Sequence, residues 1–393
     1  MTRLRSINGL LRAGLVLCLA SLLGASAQAA GAAPHKAAAL GSGVAFGPDG
    51  RLWWTGLDEQ GRLFVRDSAD EGRSWSAPRW LAADEHISAD GENRPKIAFG
   101  PGGAAVISYT QPLAKPYTGA IRMLRSADGG AHFGAPFTVH ADRQLITHRF
   151  EAIGFDARGI LHVLWIDKRD LEVQGSAYRG AAIYRNESAD GGAHFGPDTK
   201  LADHTCECCR IALAGTPDGS LAAMWRHVFA PSERDHGFAR LDRPAAAEPV
   251  RATLDRWAVN ACPHHGPGLA GAAGGGYHAV WFGQRDGDMR ARYGRLSADG
   301  QPLGAPQVLP DEAAEHADVI SAGPRVAIVW RSFDGGQTRL RAWLSADDGR
   351  HFVLKDLAAT PLDNDHPRLA RRGEQLFAFW RTLEGAQVHA LVP

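Results

Sequence analysis

An apolar strand, a glycine-bearing turn and a second strand ending in an aromatic recur seven times along the chain. The pattern runs from Val44 to Trp54, Ile97 to Tyr109, Ile153 to Trp165 and Leu213 to Trp225. It continues from Leu269 to Trp281, Ile320 to Trp330 and Leu369 to Trp380. Leu161-His-Val-Leu-Trp165 alternates as a half-buried strand does, whereas Val326-Ala-Ile-Val-Trp330 reads as a continuous buried run. The blocks follow one another at roughly 50 to 60 residues, the length of a four-stranded propeller blade with its loops. An all-β propeller is therefore predicted, with seven blades favoured over six. The last block, ending Val388-His-Ala-Leu-Val392, has room for three strands, so the segment Ala37 to Leu40 is expected to supply the fourth and close the ring.

A second repeat lies between these blocks. Ser68-Ala-Asp-Glu-Gly-Arg-Ser-Trp75, Ser126-Ala-Asp-Gly-Gly-Ala-His-Phe133, Ser188-Ala-Asp-Gly-Gly-Ala-His-Phe195 and Ser345-Ala-Asp-Asp-Gly-Arg-His-Phe352 are near-copies, and Ser297-Ala-Asp-Gly300 is a fragment of the same motif. Ser and Asp side chains accept hydrogen bonds from their own turn, and glycine supplies positive φ. The form Ser-x-Asp-x-Gly-x-x-Trp/Phe resembles the Asp-box (BNR) repeat of sialidases and related β-propellers. That resemblance implies a sialidase-like propeller whose boxes lie on the face away from the ligand. Family sialidases have six blades, so seven blocks are a departure.

Composition narrows the partners. Lys+Arg and Asp+Glu are equal at 43 each, which gives no electrostatic argument for nucleic acid or an anionic membrane. Arg3, Arg5 and Arg12 precede the apolar run Leu15 to Leu23, and Ala27-Gln28-Ala29 offers a small-residue cleavage site. Residues 1–29 read as a secretory signal peptide cleaved near Ala29, followed by a segment 30–40 and a single propeller from 41 to 393. Leu17 stands before Cys18, where a lipoprotein signal needs a small residue. A periplasmic or secreted monomer without a membrane span is expected.

The chemistry gathers in the loops that lead into the first strands. Eleven residues before the glycines Gly103, Gly159, Gly219 and Gly275 stand Glu92, His148, Cys208 and His264. One residue later come Asn93, Arg149, Cys209 and His265, and two residues earlier Cys206 and Cys262. His204, His316 and His366 occupy the same class of loop. In a propeller these loops share one rim. Thiolate with imidazole suits copper or zinc over a hard cation. The favoured reading is a non-hydrolytic copper site (zinc as alternative) built from Cys206, Cys208, Cys209, Cys262, His264 and His265, with His148 and His204 as outer candidates. Disulfides, including Cys206 to Cys262, or a redox thiol pair remain open, although adjacent Cys208 and Cys209 bridge poorly. His132, His194 and His351 cap boxes, and His162 and His278 are expected to be packed.

The resemblance also implies a second reading, an exo-sialidase or carboxylated-glycan-binding propeller. Family sialidases hold a carboxylate with three arginines, use a tyrosine nucleophile with a glutamate, and use an aspartate as acid/base. Arg94, Arg149 and Arg210 are the matching arginines, with Glu151 or Asp167 assisting. Arg368 is a further candidate for the same face. No tyrosine falls in the last two blocks, so the catalytic pattern is incomplete and hydrolysis is not carried over. The third reading is a disulfide-stapled interaction scaffold.

Overall fold

The structure, a computed structural model, describes residues 39–89, 91–171, 179–246 and 248–392. The expected targeting segment and the start of the expected closing strand lie outside these residues. Each predicted block forms an antiparallel hairpin. The first unit is β1 (Gly43–Phe46), β2 (Leu52–Leu57), β3 (Leu63–Ser68) and β4 (Arg79–Leu81), paired in that order. The second is β5 (Lys96–Phe99), β6 (Ala105–Pro112), β7 (Gly119–Ser126) and β8 (Phe137–Thr138). The third is β9 (His148–Phe155), β10 (Leu161–Asp167), β11 (Ala181–Ser188) and β12 (Thr199–Thr205). The fourth is β13 (Ala212–Gly215), β14 (Leu221–Phe229), β15 (Glu233–Arg240) and β16 (Val250–Arg251). One pairing, Thr205 with His227, joins β12 to β14, so these two units form a single eight-stranded sheet.

The fifth unit is β17 (Gly268–Gly271), β18 (Tyr277–Arg285), β19 (Asp288–Leu296) and β20 (Pro302–Val308). The sixth is β21 (Ala314–Ala322), β22 (Arg325–Phe333), β23 (Thr338–Ser345) and β24 (Val353–Thr360). The last is β25 (Arg368–Arg372), β26 (Gln375–Thr382) and β27 (Gly385–Leu391). The expected N-terminal closing strand is not formed by its described part, because Ala39 and Leu40 carry no strand pairing. The last unit instead meets the first through side chains. Trp54, Phe64 and Phe379 form a buried cluster with Trp75 and Val388 against it. No helix among the described residues is long and apolar enough to cross a membrane.

The aromatics that end the second strands, Trp54, Tyr109, Trp165, Trp225, Trp281, Trp330 and Trp380, are all buried between units. The first strands β1, β5, β9, β13, β17, β21 and β25 pack in cyclic succession, β25 against β1. All seven line one cavity of about 590 Å³. Because strands alternate direction, the loops leading into first strands and the loops after second strands share one end. The box turns, which join third to fourth strands, lie at the other end.

The boxes are staples, as their composition predicts. Ser126 Oγ donates to Asp128 Oδ1 at 2.6 Å and accepts the Gly130 N–H at 2.9 Å. Asp128 in turn accepts the His132 N–H at 2.9 Å, and its second oxygen lies 2.7 Å from His132 Nδ1. The same contacts recur at Ser188 and Ser345. In the fragment at Ser297, the hydroxyl only accepts, from Asp299 at 3.3 Å and Gln301 at 3.1 Å. Ser126→Ala is expected to lower urea unfolding stability by about 1–3 kcal/mol, because buried donors lose their partner. Ser297→Ala, in an exposed turn, is expected to cost less than half as much; equal losses would contradict the staple.

Candidate functional site

Glu92, in the loop leading into β5, sits where four such loops meet. Its carboxylate pairs with Arg210 at 3.1 Å, from the loop before β13. It accepts from His316 Nδ1 of β21 at 3.1 Å, and His366 Nδ1, from the loop before β25, lies 3.4 Å away. Burial alone would push the Glu92 carboxyl up. The Arg210 charge and the hydrogen bonds from His316 and His366 outweigh it and hold the group well below the usual carboxylate range. Arg210 is further committed, donating to Pro267 O at 2.9 Å and Ala317 O at 2.6 Å. The imidazoles stack. His265 lies 4.3 Å from Phe282 on one side and 4.3 Å from His316 on the other, and His316 lies 3.3 Å from His366.

Above this floor opens a cavity of about 640 Å³. Glu92, Arg149, Lys168, Cys208, Cys262 and His264 line it, with His316, His366 and the rings of Tyr117 and Phe150. Its backbone is unusual. Of ten described non-glycine residues with positive φ, four line this cavity: Tyr117 at 62°, Phe150 at 58°, His264 at 56° and His316 at 52°. Left-handed backbone at bulky residues is costly and collects at functional sites. Tyr117 presents its ring with 81% of its surface exposed. Lys168 pairs with Glu207 on the rim.

The four described cysteines meet at one side of this cavity. The Sγ atoms of Cys206 and Cys208 are 3.8 Å apart, those of Cys208 and Cys209 3.9 Å, and those of Cys209 and Cys206 4.0 Å. Cys206, Cys208 and Cys262 hold their sulfurs within 4.8 Å of one another. None is in a disulfide, so the bridge between Cys206 and Cys262 is not formed. Contacts from Cys208, Cys209 and Cys262 pull the Cys206 thiol well below its ordinary value, with the Arg226 charge adding to them. The contact with Cys206 pushes Cys208 and Cys209 up. Arg226 itself is buried. Its guanidinium donates to the carbonyls of His265 at 2.9 Å and Phe282 at 2.7 Å, and among the described residues no carboxylate lies within ion-pair distance.

The remaining sequence candidates separate. His148 is buried away from the cavity, stacked on His140 at 3.9 Å, with its Nε2 3.2 Å from Asp142 and its Nδ1 3.1 Å from Gly119 O. His204, on β12, accepts the Arg179 N–H at 3.2 Å. Arg94 lines the channel but is paired with Asp365 at 2.7 Å. Glu151 pairs with Lys96 at 3.1 Å and accepts from Ser108 at 3.0 Å. Asp167 accepts from Trp165 Nε1 at 2.8 Å and pairs with Arg169 at 2.7 Å. Both carboxylates are buried structural acceptors. Arg368 faces the channel, 3.4 Å from Asp318. No described tyrosine lines the channel. The hub role of Glu92 with His316 and His366 escapes sequence reasoning; its one signal is that Glu92 aligns with Cys208 and His264.

No protein-family model matches the chain, and no curated protein matches it. Among solved structures, the chain is similar to a PL25 ulvan lyase, described as a new family of polysaccharide lyase and bound to -[GlcA(1-4)Rha3S]-. Identity is 13%, covering 90% of this chain and 92% of that one, with a TM-score of 0.58. A second structure of an ulvan lyase of that family aligns at 12% identity over 90% and 92%, with a TM-score of 0.57. A Hadza microbial sialidase aligns at 16% identity over 74% of this chain and 63% of that one, at a TM-score of 0.49. At these identities the likeness establishes a propeller-type all-β fold.

The buried imidazoles make the site acid-sensitive. Burial pushes His265 down to about 3, with the His316 charge adding to it, and burial lowers His316 and His366 as well. In the unfolded chain each takes a proton near pH 6.5. The unfolded state therefore binds more protons below that pH, and folding stability falls as pH drops from about 6.5 towards the folded values. Glu92, depressed when folded, adds loss of the same sign at lower pH. Urea unfolding at pH 7.5, 6 and 5 is expected to give steadily lower midpoints, with a shallower decline in His265→Gln; a flat profile would contradict buried neutral histidines.

Proposed function

We propose that the protein is an exported, seven-bladed propeller that binds a carboxylated glycan in the cavity above Glu92, without hydrolysing it. Seven first strands around one channel favour seven blades, with the ring closed by side-chain packing between the last and first units. The observation that carries the functional reading is the cavity itself. The exposed ring of Tyr117 and the buried ring of Phe150, both on backbone held in the left-handed region, stand beside the cationic Arg149 and Lys168. Aromatic faces receive sugar rings, and a guanidinium is the group that pairs a carboxylate through two hydrogen bonds. Concave sites with a few convergent polar groups are where propellers and other folds place ligands.

The fold likeness supports the same class of ligand, since the ulvan lyase is bound to a glucuronate-containing saccharide. Arg94 and Arg210, read from the sequence as carboxylate holders, are neutralised by Asp365 and Glu92 and serve as floor. Arg149, which lines the cavity with its guanidinium 5.0 Å over the Phe150 ring, is the carboxylate contact in this reading. A leader in residues 1–29 makes export part of the proposal.

Isothermal titration with sialyllactose, with a glucuronate oligosaccharide and with their neutral counterparts tests this reading. Binding of at least one acidic saccharide, tenfold weaker or more in Arg149→Ala and absent for the neutral sugars, is expected, with no release from a fluorogenic sialoside. Binding to none of them, or equal binding by Arg149→Ala, would overturn it.

A further inference from the structure

We propose that Cys206, Cys208 and Cys209 form a binding site for one soft, thiophilic cation, with monovalent copper as the ion it fits best and Cys262 as a fourth, outer sulfur. The case starts from geometry. The three inner sulfurs form a nearly equilateral triangle with sides of 3.8, 3.9 and 4.0 Å. An ion at its centre lies about 2.3 Å from each sulfur, the length of a metal–thiolate bond. These separations are far from the S–S bond of about 2.05 Å, and neighbouring cysteines in a chain bridge only with strain. The site is thus spaced for coordination and not for oxidation.

The donor set selects the ion. No carboxylate belongs to the group, because Glu207, between Cys206 and Cys208 in the chain, turns to Lys168. Without oxygen ligands a hard cation has nothing to hold it, while thiolates select Cu(I) and Zn(II). Three buried sulfurs and one exposed sulfur suit a trigonal Cu(I) ion better than the four equal arms of structural zinc. Cys262 joins Cys206 and Cys208 within 4.8 Å, and unlike the inner three it is exposed.

Charge and access agree. Three thiolates with a monovalent ion are anionic, and buried anions need compensation. Arg226 supplies it: a buried guanidinium beside the cluster whose partners are carbonyls and whose Nε has no hydrogen-bond partner. Cys208 and Cys262 both line the 640 Å³ cavity, which gives an ion a way in. This site does not depend on the glycan reading, since it shares the cavity wall but none of the residues assigned to the carboxylate.

The test uses the reduced full-length protein, titrated anaerobically with Cu(I) and separately with Zn(II) against competing chelators. One Cu(I) per chain is expected, with a thiolate-to-copper charge-transfer band and displacement of zinc by copper. Bound Cu(I) should shield three thiols from alkylation that modifies all five cysteines in the unfolded full-length protein. Cys208→Ser is expected to weaken copper at least tenfold and Cys262→Ser by less. Arg226→Met should weaken copper while leaving the thiol count unchanged. Disulfides in the native protein, no thiol protection, or equal copper affinity in a variant lacking all four cysteines would each overturn the site. Zinc held more tightly than copper would overturn the choice of ion.

Discussion

One buried carboxylate ties the functional end of this molecule together. Glu92 receives a guanidinium from 118 residues away, Arg210, and an imidazole from 224 residues away, His316. Arg210 belongs to the loop leading into β13, and His316 to the start of β21. A buried charge left without partners costs several kcal/mol, so these loops are held in one arrangement or the charge is stranded. Around Glu92 the channel continues the same pairing, with Arg94 on Asp365 and Lys96 on Glu151. The arrangement explains why Arg94 and Arg210, two of the three arginines matched to the sialidase set, are not available to a substrate: their charges are already paired within the chain.

The repeat makes such a hub possible. Hairpins packed by tryptophans hold the sheets, and the box turns staple the far end, so the loops at the near end are relieved of structural duty. There the chain departs from its own repeat. One such loop carries three cysteines, another Cys262 and two histidines, and another Glu92. The cavity that results has rings and cations on one wall and sulfur on another. Its backbone is strained at Tyr117, Phe150, His264 and His316, positions where glycine would be relaxed but would offer no chemistry.

Much of this is legible in the sequence. The seven hairpins, the buried aromatics and the box turns follow from period-two patterning and turn chemistry. The convergence of Cys206, Cys208, Cys209 and Cys262 follows from equal offsets to the turn glycines. What does not follow has a physical cause. Between β9 and β10 the register shifts at Leu164 to Ile166, opposite Phe150, whose φ is 58°. That bulge places His148 inside a strand and turns it towards His140, while Cys208 and His264, at the same offset, stay in loops. A similar shift opposite His316 brings its ring onto Glu92. Offset counting has no knowledge of bulges. Nor does a local pattern reveal that Lys96, two residues past Arg94, will claim Glu151 from the neighbouring unit. Ala39 and Leu40, the described part of the expected closing strand, make no strand pairing, and the last unit meets the first through Phe379 and Val388 on Trp54 and Trp75.

The central claim is that loops far apart in the chain form one rim. Tyr117 and Cys262 line the same cavity although 145 residues separate them. A variant with Cys18, Cys206, Cys208 and Cys209 replaced by serine and Tyr117→Cys introduced leaves two accessible thiols, one on each loop. A short bismaleimide should join them within one chain, giving a cross-linked peptide pair in the monomer fraction. Cross-links found only between chains, or two singly capped thiols, would place those loops at different ends and contradict the account.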